Sequence, residues 1–257
     1  MTFDRRGHRR LGALLEGKVV DLPDAVGHPA FPATMERLVK GNGGTVLDAA
    51  RAALERDEAE ACVVADARLL APVIPISLRS ADASDGARRL FGPGDEIPWP
   101  AGAGWLEFHP KIAAVLRRPV DDPITPEETP SVVFGFTLVA DWLARSATGD
   151  PMPTPDGVPL SIGPWVVTAD ELDPQTSYVI VRVDGEEWAK GNLNGTAHGL
   201  LRDVAVASRA ERLAPGEAFA SGPFEMPGVE QRVWPGAQVE LEAEGLGVLR
   251  NRLGRPA

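Results

Sequence analysis

The sequence predicts a mixed α+β protein that is predominantly β. Continuous apolar runs at 112–116, 132–140 and 165–168 have the length of strands buried on both faces, not of helices. Residues 178–183 are rich in β-branched side chains and meet Asp184-Gly185, a pair suited to a two-residue hairpin turn because both positions need positive φ. Helical periodicity is confined to two stretches.

In chain order, residues 10–22 alternate apolar and polar around Glu16-Gly17, which predicts a short hairpin. Residues 46–57 place Val46, Leu47, Ala50, Ala53 and Leu54 on one helical face, with Thr45 as N-cap. Pro72, Pro75 and the polar run Ser80 to Arg88 carry breakers and no apolar period, so they read as a connector. The boundary falls near residue 75, giving a small N-terminal α/β module over 1–75 and a main domain over 76–257. The strands named above follow, then a helix from about Leu200 to Ser208. Val239, Leu241 and Ala243 alternate against Glu240, Glu242 and Glu244, and Gly245-Leu246-Gly247 turns the chain into Val248–Arg252. That is a hairpin with one wet face.

Composition narrows the function classes. A chain of 257 residues with 44% apolar residues can bury a large core. Its net charge of −11 is spread along the chain, and the only basic cluster is the short Arg5 to Arg10 patch, so nucleic acid and anionic membrane are not expected partners. Glu16 and Lys18 cut the apolar run after Arg10 short of a signal-peptide core, and no stretch approaches a membrane span. A single cysteine, Cys62, excludes an intramolecular disulfide and reads as an inert, half-buried thiol. Cytoplasmic residence is the expectation. His8, His28 and His198 read as structural, by their loop, arginine-rich and helix-start surroundings.

The chemical information lies in Trp105-Leu106-Glu107-Phe108-His109-Pro110-Lys111 and in Asp141-Trp142-Leu143-Ala144-Arg145. In a strand, Glu107, His109 and Lys111 share one side, so with Asp141 they can line one pocket. These segments resemble the metal-binding core of the fumarylacetoacetate hydrolase superfamily. Gly92-Pro93-Gly94-Asp95-Glu96-Ile97-Pro98, Gly163-Pro164-Trp165-Val166-Val167-Thr168, Val183–Trp188 and Glu244–Arg252 add ordered, spaced matches.

The resemblance implies a β-roll with flanking sheets, a homodimer, and action on small acids with two carbonyls in a 1,3 relation. It also implies a divalent cation held by a Glu-x-Glu pair and an Asp. Here the Glu-x-Glu positions fall on His109 and Lys111, and only Asp141 stands in its expected place. Hard cations want several anionic oxygens, and an ammonium offers none. The family's Lys-x-Phe-Asp-like segment is replaced by Pro151–Val158, its Gly-Thr motif by Ser221-Gly222-Pro223-Phe224-Glu225, and its lid is shortened between Ser80 and Gly92.

The resulting expectation is a cofactor-free enzyme on a small enolisable dicarbonyl or keto acid. It would hydrolyse a C–C bond, decarboxylate, isomerise or cyclise. His109 would move protons, Lys111 and Arg145 would act as electrophilic clamps, and Asp141 would orient them. Glu107, Trp142, Ser221 and Glu225 are the candidate substrate contacts. Two alternatives stand beside it: manganese, iron or zinc held through Glu107, His109 and Asp141, and a catalytically inactive homologue that binds a ligand or a partner subunit. For Lys111 alone, a buried structural pairing with Asp141 competes with a catalytic role.

Overall fold

In the computed structural model the chain is described over residues 1–41, 44–80, 88–152, 158–226 and 231–256. Most of the polar run after Ser80, and most of the Pro151–Val158 segment, lie outside the described residues.

The N-terminal part opens with β1 (Thr2–Arg5), β2 (His8–Leu15) and β3 (Lys18–Asp21), followed by α1 (Leu22–Val26), α2 (Met35–Lys40) and α3 (Gly44–Leu54). A 3-10 turn at Asp57–Cys62 leads into β4 (Val63–Val64) and β5 (Leu69–Leu70), which complete a sheet ordered β4-β3-β2-β1-β5. The expected hairpin is present: Glu16 and Gly17 at its tip have φ of 49° and 78°. Asp21 organises the next step. Its side chain accepts a hydrogen bond from the Asp24 amide and so caps α1, while Arg5 and Arg10 pair with both aspartates. Arg9 pairs with Glu36. Arg5, Arg9 and Arg10 of the basic patch are therefore spent on internal ion pairs.

α3 corrects one expectation. It spans Gly44–Leu54, so Thr45 lies inside its first turn instead of capping it, and the helix stops before residue 57 because Arg56 is already extended. α1 and α2 had no sequence signal, since five or six residues are too few to display a helical period.

The remainder contributes β6 (Leu78–Ser80), β7 (Arg88–Phe91), β8 (Glu96–Ile97), β9 (Trp105–Leu116), β10 (Val133–Arg145) and β11 (Val158–Thr168). Then come β12 (Tyr178–Val183), β13 (Glu186–Asn192), α4 (Asn194–Ala210), β14 (Ala218–Ala220), β15 (Gln238–Ala243) and β16 (Gly247–Leu253). They build a six-stranded sheet, β6-β14-β9-β10-β11-β7, and a five-stranded sheet, β13-β12-β15-β16-β8. The strand count makes the fold mainly β, with few helices, as expected. β9 and β10 are the long central strands, paired antiparallel from Trp105↔Arg145 to Leu116↔Val133.

Both faces of this central pair are covered. One face, with Leu106, Phe108, Ile112, Leu138, Ala140 and Trp142, packs with Val181, Leu241 and Leu249 of the third sheet and Leu200 and Val204 of α4. The other, with Ala113, Val115 and Val139, packs with Leu160 and Ile162 of β11 and with Leu11, Leu22, Met35 and Leu38 of the N-terminal part. Sandwiching between two cores explains why residues 110–116 and 133–142 are all buried and read as unbroken apolar runs. Gly135 lets β10 and β11 approach: a Cβ there would lie 2.1 Å from the Val167 carbonyl oxygen. α4 begins six residues earlier than its sequence signal, which Gly195 and Gly199 dilute.

Candidate functional site

The site is written in the register of β9 and β10. Asp141 lies directly opposite His109, Val139 opposite Lys111, Leu143 opposite Glu107, and Arg145 opposite Trp105. Opposed residues of an antiparallel pair project from the same face, as do residues two apart along a strand. Glu107, His109, Lys111, Asp141 and Arg145 therefore share one surface, as the spacing predicts for the β9 trio.

Two diagonal ion pairs cross this surface. Lys111 Nζ lies 3.1 Å from Asp141 Oδ2, with side chains 0% and 8% exposed. At the outer end, Arg145 Nη2 and Nε lie 2.8 and 2.9 Å from the same Glu107 oxygen. Trp105 Nε1 reaches the other Glu107 oxygen at 3.4 Å, and Arg232 stacks over the Trp105 ring at 4.3 Å. His109, half-buried, lies along β9 between the two pairs. Charge thus runs from the covered Lys111 outward to a half-exposed rim.

One member had no sequence signal. Lys111 Nζ also lies 3.1 Å from Ser80 Oγ. Ser80 ends β6, which runs parallel to β14 in the pairing Ala220↔Ser80, while Ala220 pairs with Ala113 of β9. Only this three-strand relay brings a serine of the connector to the lysine.

The remaining expected contacts lie elsewhere. Trp142 follows Asp141 in the strand and so faces the opposite side. Its indole is 1% exposed, 5.6 Å from the Phe108 ring centroid, and donates from Nε1 to Ser161 Oγ at 2.9 Å. Substrate contact is closed to a side chain so placed, and its role is packing. Ser221 is fully buried, with its hydroxyl accepting from the Ile112 amide at 3.2 Å and donating to the Gly222 carbonyl at 2.7 Å. It fastens the chain after β14 to β9. Glu225 is exposed and borders a cavity of about 560 Å³ with Asn192, Thr196 and Asp203 at the start of α4. Burial pushes the Asp203 carboxyl above its ordinary value, and Arg202 opposes that shift. His8 and His28 are exposed, and the His28 ring accepts from the Ala30 amide.

The donor set does not fit a divalent cation. The Lys111 ammonium occupies the Asp141 oxygen that a cation would need, and Glu107 is committed to Arg145. Among the described residues no three His, Cys, Asp or Glu side chains gather as a metal group.

Comparison with known proteins agrees with this fold. Residues 84–254 match the family described as fumarylacetoacetate (FAA) hydrolase C-terminal. A provisionally named hydrolase of Burkholderia multivorans is 29% identical over 171 residues, which cover 62% of this chain and 60% of that protein. The chain therefore matches about three fifths of the length of that relative. Maleylpyruvate hydrolase from Sphingobium sp. SYK-6 superposes with a TM-score of 0.75 at 23% identity, covering 99% of this chain and 100% of that one. The same protein is known in complex with manganese (II) ion and pyruvate. The 5-carboxymethyl-2-hydroxymuconate delta-isomerase of Mycobacterium smegmatis superposes at 0.60 with 24% identity, over 75% of this chain and 82% of that one. The chain belongs to the fumarylacetoacetate hydrolase family, whose fold its structural neighbours, hydrolases and isomerases, share. No helix among the described residues is long and apolar enough to cross a membrane.

Proposed function

We propose that this protein is a family member that acts without a divalent metal on a small enolisable dicarbonyl or keto acid. The observation that carries the reading is the Lys111 ammonium, wholly covered and 3.1 Å from Asp141, beside a half-buried histidine. A fixed internal cation supplies the positive charge that an enolate needs, without a cation having to bind.

Each residue then has a part. Lys111 has no exposed surface, so it acts through its neighbours, holding Asp141 in place and contributing to the field across the pocket. His109, opposite Asp141, faces the reacting carbon and moves its proton near neutral pH. Arg145 spends two of its five N–H donors on Glu107, leaving others for a substrate carboxylate. The pyruvate held by the Sphingobium hydrolase is a ligand of this chemical type. The reaction proposed is hydrolytic C–C cleavage, and the working unit is a cytoplasmic homodimer.

A second reading has its own observation. Each cation of the site is already matched by a carboxylate, a balance that also suits a non-catalytic homologue binding a ligand or a sister subunit. One experiment separates the two. Acetopyruvate absorbs as its enol, and loss of that absorbance is followed with purified protein in excess EDTA. The proposal expects turnover that EDTA leaves unchanged. Turnover abolished by EDTA and restored by manganese contradicts metal independence, and binding without turnover supports the non-catalytic reading.

A further inference from the structure

We propose that the cleft between α3 and the β10–β11 strands is a second binding site, which takes an amine with an apolar body, an aryl- or alkylamine whose ammonium rests at the mouth. It goes beyond the proposed function and shares no residue with the Lys111 site. Phe134, which lines it, stands about 23 Å from Asp141 along β10 at roughly 3.3 Å per residue.

Unfilled space is the first observation. The apolar face of α3 stops short of the main domain, with Val46, Leu47 and Leu54 only half-buried against the core. Between that face and the strands lies a cavity of about 390 Å³, walled by Leu11, Met35, Leu38, Leu54, Phe134 and Trp165. A smaller one of about 280 Å³ shares Leu47, Arg51 and Phe134 with it. The larger alone falls within the roughly 300–1,000 Å³ of small-molecule sites. Side chains around an apolar void forgo contacts on one side, and an apolar ligand restores them.

Charge at the rim selects the other end of the ligand. Arg51 ties α3 to the main domain, its Nη2 2.6 Å from Asp170 Oδ2 and 3.1 Å from Glu171 Oε1. One guanidinium thus answers two carboxylates. Around the two cavities Asp48 adds a third carboxylate, and Arg117 a second guanidinium that is already turned to the Ser131 carbonyl, to which its Nη2 donates at 2.9 Å. Burial pulls the Met1 amine, which also borders the larger cavity, down to about 5, so it is neutral at pH 7. The rim therefore carries surplus negative charge, and Glu171, 56% exposed, lines the larger cavity itself. An ammonium is attracted there and a carboxylate repelled.

The test uses three probes with one apolar body and different ends: 4-phenylbutylamine, 4-phenylbutanol and 4-phenylbutyrate. Calorimetry on the full chain gives the dissociation constant of each. The amine is expected to bind tightest and the acid weakest, about tenfold apart at low ionic strength, the combined size of an exposed attraction and an exposed repulsion. High salt should close the gap. Glu171→Gln should weaken the amine about threefold and leave the alcohol unchanged. Arg51→Gln, which frees both carboxylates, should tighten the amine. Leu47→Trp, filling the space, should weaken all three. No binding of the amine, equal binding of the three probes, preference for the acid, or amine binding that Leu47→Trp leaves intact overturns the proposal. The wild-type series decides this even where a variant fails to fold. Acetopyruvate turnover is no part of the readout, so this proposal and the proposed function fail separately.

Discussion

Lys111 and Asp141 form an ion pair 3.1 Å long across the central strands, with neither side chain more than 8% exposed. Desolvating two charges costs several kcal/mol, and their attraction offsets that cost only while both are present. The pair therefore behaves as a unit. Lys111→Met is expected to destabilise the protein by about 3–5 kcal/mol, because Asp141 is left buried and uncompensated. Lys111→Met with Asp141→Leu should recover most of that loss. Urea denaturation with matched m-values checks this, and a double variant as unstable as the single one would show that the pair is not the origin of the cost.

The outer pair makes a different prediction. Glu107 ties down Arg145 with two charge-assisted contacts, 2.8 and 2.9 Å long. Glu107→Gln keeps the shape and releases the guanidinium charge toward a ligand. The dissociation constant for acetopyruvate is expected to fall about tenfold, within the range for a hydrogen bond to a charged group. Weaker binding by calorimetry would mean that Glu107 is needed to aim Arg145.

Asp203 gives a pH dependence whose sign follows from its environment. Burial raises its carboxyl above the ordinary value, so the folded state prefers the neutral acid. Stability linked to this group is present at low pH and declines as pH rises through the raised folded value. Asp203→Asn is expected to stabilise slightly at pH 7, within about 0.5 kcal/mol for a half-exposed site, and to lose its advantage in acid. Thermal melts at several pH values read the difference. A variant equally stabilised at every pH would contradict the assignment.

How far the sequence carried this depends on the range of the signal. β12 and the Asp184-Gly185 turn were legible because strand composition and positive φ are local properties, and both turn residues have φ of 48° and 84°. β9 and β10 were legible as cores of longer strands, because burial on both faces removes the alternation that would mark their ends. Trp142 was misplaced for an avoidable reason: neighbours in a strand face opposite sides, so a pocket holding Asp141 excludes it. Ser80 was not legible at all. It stands in a polar connector, and only the pairing of β6 with β14 brings it to Lys111. Of the two short helices, α1 depends on Asp21 capping, and both depend on packing into the core that holds Leu11 of β2, which no periodicity displays.

On the proposed function, the Lys111 ammonium takes the part of a divalent cation such as the manganese bound by the Sphingobium hydrolase. Replacing His109 and Lys111 by glutamate beside Asp141 gathers three carboxylates whose mutual repulsion a cation would relieve. Isothermal calorimetry with magnesium on wild type and on His109→Glu/Lys111→Glu measures this directly. The account predicts no binding to the wild type and stoichiometric binding to the double variant. Magnesium binding by the wild type, or none by a folded double variant, would contradict it.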